Sequence, residues 1–125
     1  MKILNDGVSL MPVLNRSGTL NRLAIYWHYP HYHSSSIGPC GAVRAGDYKL
    51  IEWFDESICG PGNEFELYNL KSDIGEQNNL AKKMPERVEK LKKMLSNWRS
   101  EVNAQILTPN PNYDSLKAKK SGMRK

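Results

Sequence analysis

Ala42-Val43-Arg44-Ala45-Gly46-Asp47-Tyr48-Lys49-Leu50-Ile51-Glu52-Trp53-Phe54 is the stretch that decides the fold. Two β-prone runs, Ala42 to Ala45 and Tyr48 to Phe54, are parted only by Gly46-Asp47. A glycine-led connection of two residues supplies the positive φ that tight hairpin turns demand, so the stretch reads as an antiparallel hairpin. Upstream, Leu23 to Trp27 is a compact apolar and aromatic run ended by Pro30, which reads as a buried strand. Ser34 to Gly41 is rich in Ser, Gly and Pro and reads as a loop. Downstream, Asp55 to Asn63 is a second loop, punctuated by Gly60-Pro61-Gly62. Phe65 to Leu70 returns as a strand, with Phe65, Leu67 and Asn69 on one face and Glu66, Tyr68 and Leu70 on the other. Short connections between successive strands then give an antiparallel sheet of about four strands.

The C-terminal half changes period. Asp73 followed by Glu76 has capping-box spacing, which predicts a short helix running to about Lys83. Pro85 suits the first turn of a longer helix, where amides lack intrahelical partners. Val88, Leu91, Leu95, Trp98 and Val102 form one apolar stripe at steps of three and four, with Glu86, Glu89, Lys90, Lys92, Lys93 and Arg99 on the other faces. That helix is predicted to end between Val102 and Gln105 and to dock onto the sheet through the Trp98 stripe. The fold class is α+β: the sheet packed against a long C-terminal helix. Its other face or one end is left for something else.

The ends differ in character from the middle. Residues 1–20 contain Ile3, Leu4, Val8, Leu10, Met11, Val13 and Leu14 without a period of 2 or 3.6, as expected of a segment that packs on something outside this chain or forms a loose terminus with a helical turn. Residues 108–125 open with the proline-rich Thr108-Pro-Asn-Pro-Asn-Tyr-Asp114 and close as a basic tail. At 125 residues the chain is one domain by length. It has no run of about 18 apolar residues to span a membrane. The N-terminus lacks the apolar core of a signal peptide, and localisation stays open.

The formal net charge of +5 has one source. Lys117, Lys119, Lys120, Arg124 and Lys125 lie after residue 115 with no acid among them, which leaves 13 basic and 13 acidic side chains in residues 1–115. The tail can hold polyanions weakly by counterion release, but no specific nucleic-acid partner is implied. Cys40 and Cys59 flank the hairpin in loop-like surroundings, and either a bridge or free thiols is compatible with that.

Chemistry-bearing side chains concentrate in Trp27-His28-Tyr29-Pro30-His31-Tyr32-His33. His28, His31 and His33 with Cys40 are ligand types that zinc prefers, but no second ligand pair stands at finger-like spacing, and two of the histidines are interleaved with aromatics. The plain alternative is aromatic packing with imidazoles bonded to backbone.

Trp27 to Tyr32, the hairpin, Glu66-Leu67-Tyr68-Asn69-Leu70, Asp73-Ile74-Gly75-Glu76-Gln77-Asn78-Asn79-Leu80 and the helix ending in Asn97-Trp98 stand in an order that resembles the C-terminal subdomain of type I sulfatases, the formylglycine-dependent sulfate-ester hydrolases. The resemblance covers residues 6 to 114. It implies that residues 1–20 are a linker from a catalytic domain, 21–107 the subdomain and 108–125 its tail. It implies a parent enzyme, often periplasmic or secreted, in which formylglycine and calcium act. No residue here matches those groups, so the chain carries no catalytic residue, no metal ligand and no cofactor of its own. Its partners are then a sulfatase catalytic domain and, in the intact enzyme, a sulfated carbohydrate or aryl sulfate. His28 and His31 are the residues implied to line the pocket wall, with Tyr29 and Tyr32 as stacking or hydroxyl contacts and His33 outside the matched part. Alone, such a piece does not hydrolyse sulfate esters. The alternatives are a stand-alone module for sulfated or anionic glycans, or a nonfunctional truncated remnant.

Cys40-Gly41-Ala42-Val43-Arg44 has the form of the sulfatase motif whose cysteine becomes formylglycine. That motif opens a helix beside a metal, whereas this arginine runs into the Gly46 turn. No adjacent aspartate pair exists in the chain to hold calcium, which wants several carboxylate oxygens. Arg44 and Lys49 are expected as solvated or ion-paired strand positions, against Glu52 or Glu66. Lys90, Lys92 and Lys93 are expected on a solvated helix face.

Overall fold

The computed structural model describes residues 7–33, 38–55, 62 and 64–112. A single helical turn, α1 (Met11–Leu14), precedes four strands, β1 (Ile25–Tyr29), β2 (Cys40–Ala45), β3 (Tyr48–Trp53) and β4 (Phe65–Asn69), and a 17-residue helix, α2 (Pro85–Glu101). The strands form one antiparallel meander in the order β1-β2-β3-β4. Gly46 takes φ +59 in the β2–β3 turn, and pairing runs from Ala45↔Tyr48 to Cys40↔Trp53. This is the α+β arrangement the sequence predicts.

Alternation along each strand gives the sheet two faces. Val43, Leu50 and Leu67 stand side by side in register, each fully buried. Val88, Leu91 and Leu95 of α2 close over them. Each such side chain contributes about 1.5–3 kcal/mol by leaving water, so this patch of six carries the fold. Trp98 continues the stripe by stacking on Tyr26, ring centroids 5.0 Å apart. Pro85 occupies the first turn of α2 and Glu86 favours its positive end. Val102 caps the helix rather than extending its buried stripe and is 43% exposed.

Several boundaries differ from the sequence expectation. The first strand runs from Ile25 to Tyr29, and Leu23 is 88% exposed. Ile25 pairs with Arg44, next to the β2–β3 turn, so residues before it run out of ladder. Cys40 and Gly41, expected in the loop, open β2 opposite Tyr29 and His28. The helix expected from Asp73 to Lys83 is a series of turns. Glu76 has φ 54, which breaks helical continuity, and the Asp73 carboxylate accepts from the amides of Gln77 and Asn78 instead. The segment is pinned to the sheet: Asn79 Oδ1 accepts from Leu67 N at 3.1 Å, and Leu80 N donates to Leu67 O at 2.7 Å. These bonds close the outer edge of β4. Cys59 and residues 113–125 lie outside the described residues, and with them a Cys40–Cys59 bridge and the basic tail.

Candidate functional site

The His/Tyr run sits where β1 ends, and β-alternation divides it. His28 shares the helix-covered face with Tyr26. Tyr29 shares the open face with Trp27 and Ile25. His28 Nε2 lies 2.5 Å from the carbonyl oxygen of Gln105, just beyond α2. Because a carbonyl only accepts, Nε2 carries the proton. The ring tilts against Phe54 at 5.5 Å. Its Nδ1 is buried without a hydrogen-bond partner among the described residues.

On the other side, His31 meets the edge of Tyr29, ring centroids 5.4 Å apart at 80°. Tyr32 Oη donates to Asp55 Oδ2 at 2.6 Å. Tyr29 and Tyr32 are 40% and 67% exposed. The structure thus gathers Tyr29, His31, Tyr32 and Asp55 at the end of the sheet where β1 and β3 finish, and turns His28 beneath it. Asp55 was not singled out in the sequence, where it reads as the first residue of a loop. The signal that was available is its position just past β3, level with the end of β1.

Beside them the open face carries Cys40 between Tyr29 and Trp53 in register. Burial pushes the Cys40 thiol up, with Glu66 adding to this and Lys49 opposing it. A raised thiol in the middle of a ladder suits neither a nucleophile nor a metal ligand. Among the described residues no three His, Cys, Asp or Glu side chains converge to hold a metal ion. The described residues around Cys40 therefore do not fit a formylglycine and calcium centre.

Farther along the open face, Lys49 pairs with Glu76 at 2.6 Å rather than with Glu52 or Glu66. Arg44 Nε donates to Gly46 O at 3.5 Å. Tyr68 Oη donates to Glu66 Oε2, and burial together with Glu66 pushes the Tyr68 phenol up to about 12. On the helix side, Glu52 is taken by Arg99. Lys92 sits over the Phe65 ring and 3.6 Å from Glu89, while Lys90 and Lys93 face solvent. Among the described residues no helix is long and apolar enough to cross a membrane.

This sheet-and-helix unit matches known proteins. The model of the family described as N-sulphoglucosamine sulphohydrolase, C-terminal, covers residues 4–103. The chain belongs to this family. A curated relative, an N-acetylglucosamine-6-O-sulfatase of Bacteroides thetaiotaomicron, is 34% identical over 79 residues, which are 60% of this chain and 13% of the relative. A sulfatase of Formosa agariphila is 31% identical over 87 residues, 64% of this chain and 15% of that one. Among solved structures, a 2-O GAG sulfatase superposes with TM-score 0.62 at 26% identity over 83% of this chain and 22% of that chain. A protein solved with its substrate D-glucosamine-2-N,6-O-disulfate superposes with TM-score 0.61 at 28% identity, over 82% and 21% of the two chains. The sulphohydrolase C-terminal unit described here therefore spans about a seventh of the curated relatives' length.

Proposed function

We propose that this sulphohydrolase C-terminal domain serves as one part of a sulfatase, forming a wall of the pocket that receives a sulfated amino sugar. The observation that carries the reading is the family match over residues 4–103 in a chain that spans only 13% and 15% of its curated relatives. The nucleophile and the metal belong, on this reading, to the rest of the enzyme, and the chain alone is inactive.

Tyr29, His31 and Tyr32, with Asp55 behind Tyr32, are the wall. An imidazole can donate to or accept from a sugar hydroxyl or meet a sulfate oxygen, and a tyrosine ring can stack on the sugar while its hydroxyl bonds. His28 supports this wall from below, through its bond to the Gln105 carbonyl. The sulfated glucosamine named for two of the relatives supports the choice of substrate class.

The test is hydrolysis of a chromogenic aryl sulfate and of 6-O-sulfated N-acetylglucosamine. The chain is assayed alone and after mixing with the N-terminal portion of the Bacteroides thetaiotaomicron relative, cut before its matching region. Activity in the mixture only, with His31→Ala raising KM for the sugar more than for the aryl ester, is expected. Activity of the chain alone overturns the reading.

A further inference from the structure

The two edges of the sheet are treated unequally. The outer edge of β4 is closed by Asn79 and Leu80. The outer edge of β1 makes no backbone hydrogen bond among the described residues. Nor is it guarded. Natural edge strands carry lysines, prolines, bulges or inward charges that repel a partner strand, and Ile25-Tyr26-Trp27-His28-Tyr29 has no acidic residue, lysine, arginine, proline or glycine. Its open-face side chains, Ile25, Trp27 and Tyr29, are 40%, 48% and 40% exposed.

The exposed apolar surface also has an address. Of the 14 large hydrophobic side chains exposed among the described residues, ten fall between Val8 and Tyr32, including Leu10, Met11 and Leu14 of the α1 region and Leu23 just before β1. From Cys40 to Trp98 the elements satisfy one another, and Ile74 alone among the described residues of that span stands out. What covers the bare surface therefore meets the chain along its N-terminal third. The matched family is a C-terminal one, and its relatives are several times longer than this chain.

We infer that the free edge of β1 is a docking site for an extended strand from the catalytic portion of the sulfatase, which joins the sheet as a fifth strand. Main-chain bonds to β1 supply the affinity, and apolar side chains at alternate positions of the incoming strand pack beside Ile25, Trp27 and Tyr29. The same pairing fixes the end of β1, and so the orientation of His31 and Tyr32. This rests on the reading under Proposed function and names the partner's chemistry and mode of contact.

The test mixes the chain with the N-terminal portion of the Bacteroides thetaiotaomicron relative and follows sedimentation and hydrogen exchange. Trp27→Lys, placed on exposed surface, is checked for an unchanged melt; Ile25→Lys is the second variant. Expected are a one-to-one complex, amides of residues 25–29 exchanging about tenfold slower or more within it, and binding weakened about tenfold or more by either lysine. A complex in which residues 25–29 exchange as in the free chain, or which both lysine variants form normally, overturns the edge proposal and leaves the sulfatase reading standing. Absence of any complex overturns both. A dimer of the chain alone that protects residues 25–29 and persists when the catalytic portion is added makes a second copy the occupant and overturns the choice of partner made here.

Discussion

Arg99 reaches from the last turn of α2 to Glu52 on β3, and its guanidinium lies over Gly41 of β2. A β-carbon at position 41 would collide with Arg99 Nη2 while standing 3.2 Å from Phe54 Cζ and 3.3 Å from the Trp27 carbonyl oxygen. Glycine is needed here for close approach, not for an unusual φ. Gly41→Ala is expected to lower stability by about 1–3 kcal/mol through overpacking, read as a lower urea midpoint at unchanged slope. In an Arg99→Ala background its cost should fall, because the first atom it strikes is gone. A double-mutant cycle with no coupling would mean that Arg99 is not the obstacle.

Apart from Glu52, the same guanidinium has the Phe54 ring 4.9 Å away but little hydrogen bonding. Arg99 is 13% exposed and its Nε and Nη2 have no partner among the described residues. Glu52→Gln removes the charge that compensates it but keeps the shape. A loss of about 1–3 kcal/mol is expected, below the cost at fully buried pairs because Glu52 keeps 21% exposure. Glu52→Gln/Arg99→Met should recover part of that loss, since it replaces an unpaired buried charge with an apolar side chain. Thermal melts of the three proteins decide it.

Tyr68 predicts the alkaline limit of stability. Burial, with Glu66 as hydrogen-bond partner and neighbouring charge, raises its phenol from 10.0 to about 12. The folded state thus holds the proton more tightly than the unfolded chain. That contribution is fully present below pH 10 and is lost as pH rises through about 12. Urea midpoints measured from pH 9 upward should fall across that window for the parent chain and fall less for Tyr68→Phe. Equal slopes for the two proteins would remove Tyr68 as the cause.

The hairpin around Gly46 and the Val88-Leu91-Leu95-Trp98 stripe were legible because each rests on local rules, a turn glycine in one case and a 3.6 period in the other. Residues 73–83 were not. An aspartate followed three residues later by a glutamate serves a helix start and an isolated turn alike, and what chose the turn was the need of β4 for partners along its outer edge. The division of His28 from Tyr29 follows from strand alternation once β1 is known to run to Tyr29 rather than stop at Trp27. Placing that boundary required the pairing Tyr29↔Cys40, which no property of residues 23–29 encodes. The Tyr32–Asp55 contact joins two loops 23 positions apart, and only the closed sheet brings them together.

Asn79 tests the claim that the chain protects one sheet edge and leaves the other bare. Its Oδ1 accepts from Leu67 N at 3.1 Å and from Ala81 N at 2.9 Å, so one side-chain oxygen serves an edge amide and shapes the turn beside it. Leu67 is fully buried, so removing that oxygen takes away the acceptor its amide uses. Asn79→Ala should therefore cost about 1–2 kcal/mol and speed exchange of the Leu67 amide. Asn79→Asp keeps an oxygen in place and should leave both close to the parent values. The contrast between the two variants separates a hydrogen-bonding role from mere packing, since aspartate and asparagine fill the same volume. If Leu67 exchanges equally slowly in all three proteins, the β4 edge is closed by Leu80 and the surrounding chain rather than by Asn79. If it opens only in the alanine variant, the Asn79 oxygen is what holds the Leu67 amide on the β4 edge, with Leu80 securing only the carbonyl beside it.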